Sequence, residues 1–455
     1  MTLVDSVVAQ LRARGLTISR MQALHPAIDR AVRRTRRQLY TRAFFRAGPR
    51  KRGASGGRTF VILNHCYDLD VEALIAADTP HELWVLDPFA LFTDGHHFFP
   101  PEHRDLACVY GAGTMRETIA RYKREFAAGF AKRLVRETKL DALITPSDTF
   151  YYLRPIIEEL RALGIPTIVQ CKEGTIAPGA MMDSHAQLLG HRYPPIADRY
   201  LLWSENHATF WGKVGVPPEH MQVLGQPRSD FFFHPERWPS KQALGLTEGK
   251  QLVVAFTFDA DSYVRVLEPN RDRPWKPNRD AMHAAVKRIA RERPDVEVVI
   301  KAHPQQEELA EVTAELAADP IANVHLMTGA GLANPLLAHA DVILGFQSTV
   351  MIEAMLTRAP VFYVGWGDQH PKFEAGLIPI HTSGGVVIPS GPEDLERLLR
   401  RALDGELAPP PEMIRARKAF TDRYFADADG RAAERVLTAA AGIADQLRSD
   451  RRHAT

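Results

Sequence analysis

PDVEVVIKAHP (294–304) and ADVILGFQSTVMIEAMLTRAPVFYVGW (340–366) decide how this chain is read. The first is an apolar run of β character that ends in Lys301, His303 and Pro304. The second is another apolar run, followed by Ser348 and Thr349, a helical pattern carrying Glu353, and a third strand. Residues i and i+2 of a strand project to one side, so Lys301 and His303 are expected to leave the strand end together. Ser348 and Thr349 stand where N-caps stand, and the free amide groups of a helix start favour an anion. Donors at a strand tip beside such a turn suit the phosphates of a nucleotide. Glu353 lies at i+4 from Thr349, on the same helix face, where a carboxylate can accept from two ribose hydroxyls. Each residue also has a plainer use, as a strand-end imidazole on a carbonyl, a helix cap, or a solvated glutamate. Together they predict a transferase that uses a nucleotide-activated donor.

The same alternation extends along the chain. TFVILNH (59–65), ELWVLD (82–87), LDALITPSD (140–148), IPTIVQCKEGT (165–175), DRYLLWS (198–204) and MQVLG (221–225) read as strands. A long amphipathic helix over 114–138, a helix in RPIIEELRALG and another in NHATFWGKVG separate them. GQPRSDFFFHPERWPSKQALG (225–245) is rich in proline and turn formers and reads as a connection. The pattern then restarts: strand QLVVAFTF (251–258), helix 278–293, strand to Pro304, helix 307–318, strand NVHLM, the Ser-Thr turn and PVFYVGW, a strand in GGVVIPS (384–390), and a helix from Pro392 to Leu403. Continuous apolar strands between helices predict parallel sheets covered on both faces. The expected fold class is α/β, two doubly wound halves facing a cleft, with ligands beyond the carboxyl ends of the strands. The divisions are a basic helical arm and linker (1–58), a first α/β domain (59–235), a second (236–410), and closing helices (411–455) that pack back toward the first.

With 455 residues, 45% hydrophobic and 25% charged, the chain has the composition of a globular protein of two or three domains. A formal net charge of +2 gives no global pull toward nucleic acid. The charge is concentrated locally, with thirteen Arg or Lys and one acid, Asp29, between Arg12 and Arg52. AVRRTRRQLYTRAFFRAGPRKRG mixes arginines with Leu39, Tyr40, Phe44 and Phe45, a composition suited to an anionic membrane face through residues 12–52 or to a solvated helix and linker. Three cysteines, without a CxxC, predict a reducing compartment. No apolar run reaches the ~18 residues that span a bilayer, and the N-terminus has no secretory pattern. The expected place is the cytoplasm, peripheral to the membrane.

The acceptor side offers several carboxylates. Glu173 follows a buried strand and stands before Gly174 and Thr175, where it could act as general base on an acceptor hydroxyl. Asp68, Asp70 and His65 of NHCYDLD, and Asp148 of TPSD, occupy equivalent strand ends and compete for that role. In GQPRSD, Arg228 and Asp230 form a structural ion pair at the hinge, or Arg228 faces the cleft. FDADS (Asp259, Asp261) has the form of a metal-nucleotide DxD, and His96, His97 and His103 are candidate zinc ligands without a supporting second pair. GAGLAN (329–334) lacks the third glycine of a dinucleotide fingerprint. No metal site and no bound cofactor are expected.

IKAHP followed by STVMIEAMLTRAP resembles the second-domain pattern of bacterial capsule and surface-polysaccharide transferases of the GT-B fold, including capsule Kdo transferases. The similarity to CDP-glycerol glycerophosphotransferases is more distant. LLWSENHATFWGKVGVPPEHMQVLGQPRSD and DADGRAAERVLTAA resemble the interdomain stretch and closing helix of that group, so the likeness spans roughly residues 140–440. The resemblance implies that His303, Ser348 and Thr349 bind donor phosphates and that Glu353 lies near the ribose. In the glycerophosphotransferases a His-Gly-Thr sequence follows the strand that ends here near Cys171, whereas this chain has Glu173-Gly174-Thr175. That departure speaks against glycerophosphate transfer.

The expectation is therefore a metal-independent glycosyltransferase of cell-surface polysaccharide synthesis. Its donor is a CMP- or UDP-linked sugar and its acceptor a glycan or glycolipid hydroxyl. A glycerophosphotransferase, a non-hydrolysing UDP-sugar 2-epimerase and a catalytically silent nucleotide-sugar-binding subunit are the alternatives.

Overall fold

The computed structural model describes residues 35, 41–65, 67–86, 91, 95–104, 107–172, 177–262, 273–303, 306–329 and 331–453. In chain order the elements are a helix over 41–47 (α1), β1 (Thr59–Leu63), α2 (Asp68–Ala76), β2 (Glu82–Leu86), α3 (Met115–Tyr122), α4 (Ala128–Thr138), β3 (Ala142–Thr145), α5 (Arg154–Ala162), β4 (Thr167–Gln170), α6 (Ala180–Arg192), β5 (Arg199–Leu202), α7 (Glu205–Val214) and β6 (Met221–Val223). There follow β7 (Gln251–Phe256), α8 (Lys276–Glu292), β8 (Val296–Lys301), α9 (Leu309–Ala318), β9 (Val324–Met327), α10 (Ala333–His339), β10 (Val342–Gly345), α11 (Thr349–Ala354), β11 (Val361–Tyr363), α12 (Pro392–Leu403), α13 (Pro411–Phe425) and α14 (Ala432–His453). Among the described residues no helix is long and apolar enough to cross a membrane.

The chain divides into two compact units, one of residues 1–65 and 80–167, the other of 66–79 and 168–455. In the first, β1 lies between β2 and β3, parallel to both, with Thr59 opposite Glu82 and Ile62 opposite Ile144. These strands are near-continuous apolar runs because both faces are covered. The long helix expected over 114–138 is present as α3 and α4 joined by a π turn over Lys123–Ala127. It turns Phe126, Phe130, Ala131 and Leu134 into the core. The basic helical arm expected at the start of residues 1–58 lies largely outside the described residues, and only its end, α1, is seen. Phe44 packs 5.5 Å from Trp84, and the Arg133 guanidinium sits 4.6 Å over Phe45. The aromatic side of α1 thus faces protein, leaving Arg42 and Arg46 exposed, with Arg50 and Arg52 beyond them. Lys51 makes an antiparallel bridge to Leu83 that covers part of the β2 edge.

In the second unit β5 pairs in parallel with β4 and β6. A five-stranded parallel sheet has the order β11-β10-β7-β8-β9. Its strands carry the main apolar core, with Val254, Ala255, Val298, Val299, Ile300, Ile343 and Leu344 fully buried. From β7 the chain moves outward through β8 and β9, then returns to β7's other side as β10, so the direction of winding reverses between β7 and β10. GGVVIPS, expected as a strand, makes only an isolated parallel bridge from Val387 to Phe362. Two adjacent glycines and Pro389 leave too little chain for a ladder. Asp230 anchors α14 by accepting from the amides of Ala432 and Ala433 at 2.9 and 2.8 Å.

Candidate functional site

Parallel registers put the two sequence motifs on one edge of the five-stranded sheet. Lys301 of β8 is level with Phe256 of β7, and Leu344 of β10 is level with Ala255. The ends of β8 and β10 therefore flank the end of β7, about 10 Å apart at the usual strand spacing. His303 and Ser348 follow those two ends. The reversal of winding opens a crevice at this point, the place where ligands bind in open α/β sheets. His303 is exposed and Thr349 half-buried. Ser348 caps α11, its hydroxyl accepting from the Val350 amide at 3.4 Å. Gly345 allows this turn to close, because a Cβ there would lie 2.4 Å from Met351 Sδ.

Lys301 does not project beside His303 as the strand period suggests. It is 3% exposed, and its Nζ donates to the Ala302 carbonyl at 2.5 Å. Burial pulls its ammonium below the ordinary lysine range. Period-2 alternation assigns a side of the strand but not a depth, and β8 is flanked by strands on both sides.

Glu353 ends up deeper than a solvated helix residue. It is 3% exposed, and three side chains donate to it: Arg228 Nε at 2.8 Å, Gln226 Nε2 at 3.1 Å and Asn334 Nδ2 at 3.1 Å. Arg228 also reaches Asp70. Its amide donates to Oδ1 and its Nη1 to Oδ2, both at 3.3 Å, and its guanidinium lies 4.8 Å over the Trp203 ring. Arg228 thus pairs with Asp70 and Glu353, and the expected pairing with Asp230 is replaced by the α14 cap. Burial pushes the Asp70 carboxyl up to about 6, outweighing the pull of Arg228. With both oxygens engaged, Asp70 is poorly placed to take a substrate proton. Asp68 opens α2 and is exposed. Glu173, Gly174 and Thr175 lie outside the described residues. Nothing in the sequence marked Gln226 or Asn334, since their partner is more than a hundred residues away for one and on another helix for the other.

His65 and Asp148 follow the carboxyl ends of the paired strands β1 and β3 in the first unit. His65 Nδ1 is 2.7 Å from the Tyr152 hydroxyl, and its ring meets Phe150 edge-on at 4.4 Å. Asp148 is fully buried, its carbonyl accepting from Arg154 at 3.4 Å. The weaker signals have structural explanations. Asp259 of the DxD accepts from the amides of Glu307 and Glu308. His103 sits between the hydroxyls of Thr114 and Thr118, and His96 stacks on Tyr151. Among the described residues, no group of three or more His, Cys, Asp or Glu is placed to hold a metal ion.

Residues 248–367, which contain Lys301, His303, Ser348, Thr349 and Glu353, match the family described as "Capsule polysaccharide biosynthesis protein". None of the curated proteins matches the sequence. Among solved structures, a Listeria monocytogenes protein assigned as a UDP-N-acetylglucosamine 2-epimerase is 15% identical and has a TM-score of 0.51, covering 84% of this chain and 96% of that one. A variant of the wall teichoic acid polymerase TagF is 12% identical and also has a TM-score of 0.51, covering 88% of this chain and 91% of that one. At such identities the likeness is one of fold. The chain has the GT-B type of fold, two Rossmann-like domains, and across residues 248–367 it is similar to the capsule polysaccharide biosynthesis family.

Proposed function

We propose that this protein is a metal-independent glycosyltransferase that moves a sugar from a nucleotide-activated donor to a hydroxyl acceptor in cell-surface polysaccharide synthesis. The observation that carries the reading is the convergence of His303 and the Ser348-Thr349 turn on either side of the β7 end, at the reversal of winding. In this reading residues 236–410 bind the donor and 59–235 the acceptor. His303, Ser348 and Thr349 hold the donor phosphates, supported by Lys301 from below, and Glu353 lies by the ribose. Glu173 or Asp68 takes the acceptor proton; Asp70, His65 and Asp148 are weaker candidates. As the acceptor oxygen bonds to the anomeric carbon, the carbon–oxygen bond to phosphate breaks and its electron pair stays on the phosphate. Fixed N–H groups and hydroxyls at the β8 and β10 ends would stabilise that charge.

The exposed Arg42, Arg46, Arg50 and Arg52 support a peripheral position on an anionic membrane surface, on the cytoplasmic side. Because Phe44 and Phe45 face protein, such docking would be electrostatic.

The test is incubation with UDP- and CMP-linked sugars, with and without a saccharide acceptor. Acceptor-dependent release of nucleotide, lost in His303→Ala, is expected. Epimer formed from UDP-N-acetylglucosamine alone would replace the reading with an isomerase, and nucleotide release independent of acceptor would also defeat it.

A further inference from the structure

Beyond the β10 and β11 ends, one strand from Ser348, lies a side-chain network that the donor-phosphate reading does not use. Its hydrogens can be assigned from its geometry. Gln347 Oε1 accepts from the Ile378 amide at 2.7 Å while its Nε2 donates to the Ile378 carbonyl at 3.0 Å. These backbone contacts fix the amide orientation. The other Nε2 hydrogen then goes to the Tyr363 hydroxyl, 2.7 Å away. Having accepted that bond, Tyr363 donates its own proton to His370 Nε2 at 3.1 Å. The neutral His370 ring therefore carries its hydrogen on Nδ1. Burial, with the neighbouring His381, holds His370 below the usual histidine range, which keeps it neutral.

The His381 ring lies 4.4 Å from His370, edge to face. Its Nε2 is 2.8 Å from Glu374 Oε1, a carboxylate that can only accept. In the neutral ring the lone pair is then on Nδ1, which is buried and has no partner among the described residues. The cluster is closely built: a Cβ at Gly365 would lie 2.2 Å from the Tyr363 ring and 2.9 Å from that of His370. One donor, His370 Nδ1–H, and one unmatched acceptor, His381 Nδ1, are thus carried on rings whose centres are 4.4 Å apart. A buried polar atom left without a partner is costly and points to an occupant.

We propose that His370 and His381 form a hydroxyl-binding subsite for a neutral sugar, the transferred sugar of the nucleotide donor. This rests on the donor reading above. A hydroxyl satisfies both nitrogens at once, accepting from His370 and donating to His381. Glu374, 54% exposed beside His381, opposes a carboxylate or phosphate in the same place. The placement agrees with this, since Gln347, which opens the network, directly precedes Ser348, and β11 is paired with β10, about 4.8 Å away at the usual strand spacing. A phosphate at Ser348 would leave its attached sugar within reach of the pair.

The experiment compares the dissociation constants of UDP with UDP-glucose and UDP-N-acetylglucosamine, and of CMP with CMP-N-acetylneuraminic acid, by calorimetry on the full chain. At least one neutral sugar is expected to bind about tenfold tighter than its free nucleotide, and the acidic sugar no tighter than CMP. An asparagine places its amide nitrogen near the histidine Nδ1 position, and a glutamine near Nε2. His370→Asn should therefore keep the sugar increment and His370→Gln lose it. His381→Gln, which retains a donor for Glu374, should also lose it, and free-nucleotide affinity should stay within twofold in all three. Nucleotide binding with no increment from any sugar, an increment unchanged in His370→Gln and His381→Gln, or a gain for the acidic sugar would each overturn the subsite, with water its only occupant in the first case. Absence of nucleotide binding altogether would bring down the donor reading itself.

Discussion

Replacing Glu353 by alanine removes the acceptor of three donors, two on the buried Gln226 and Asn334 and one on the partly buried Arg228. Deleting one partner of a buried ion pair costs roughly 3–5 kcal/mol. Asp70 continues to hold Arg228, so the expected loss is in the lower part of that range, about 3–4 kcal/mol. Unfolding entropy is about 2.1 cal/mol/K per residue. For a unit of about 300 residues, each kcal/mol then corresponds to about 1.6 °C, so the melting temperature should fall by about 5–6 °C. Differential scanning calorimetry reads this directly. Glu353→Gln keeps an acceptor in place and should lose about half as much. If Glu353→Ala melts within 1 °C of the wild type while nucleotide affinity falls, the carboxylate is a ligand contact and not an anchor, and the reasoning about its burial is refuted.

Three further outcomes are expected. Asp70 has its carboxyl raised to about 6 in the folded state, against an unfolded value near ~3.9. The folded protein therefore holds that proton more tightly, and the stability from this group is full below about pH 4 and lost as pH rises through about 6. Asp70→Asn keeps the uncharged form, so thermal melts should show it gaining on the wild type by up to about 3 kcal/mol between pH 4 and 7; a constant gap would reject the shift. Asp230→Ala removes the acceptor of two helix-start amides and should cost about 1–2 kcal/mol, with hydrogen exchange rising first in the opening turn of α14. Equal exchange there would show that the cap is not needed. Deleting residues 1–52 should lower sedimentation with anionic vesicles, the more so at low salt, while nucleotide affinity holds. Equal retention by the truncated chain would remove the membrane role.

Much of the fold could be read because buried parallel strands are continuous apolar runs, and Pro392 and Asp404 bracket a helix whose predicted limits, Pro392 and Leu403, are those observed. The Ser348 cap and the ends of β8 and β10 were legible for the same local reason. What was not legible depends on distant partners. Arg228 and Asp230 are two residues apart and opposite in charge, which suggests a pair. Yet one reaches α2 and α11 while the other caps α14, contacts separated by more than a hundred residues. Lys301 looked cationic and exposed because charge is usually solvated; its depth follows from the strands around β8. GGVVIPS has strand composition but supplies a single bridge. Helix α6 shows weak amphipathicity and gave no periodic signal. The His370–His381 pair has no motif, because the tautomer of His370 is set through Gln347 and Tyr363 by a backbone contact at Ile378, and that of His381 by Glu374.

The central claim is that the β8 and β10 ends together bind the phosphates of a nucleotide. Titration calorimetry of UDP and CMP against the wild type, His303→Ala, Ser348→Ala and the double variant tests it most directly. One of the two nucleotides should bind the wild type. Each single variant should weaken it about tenfold, and the double variant should depart from additivity, as groups sharing one ligand do. Binding that survives the double variant unchanged would place the nucleotide elsewhere and contradict the account.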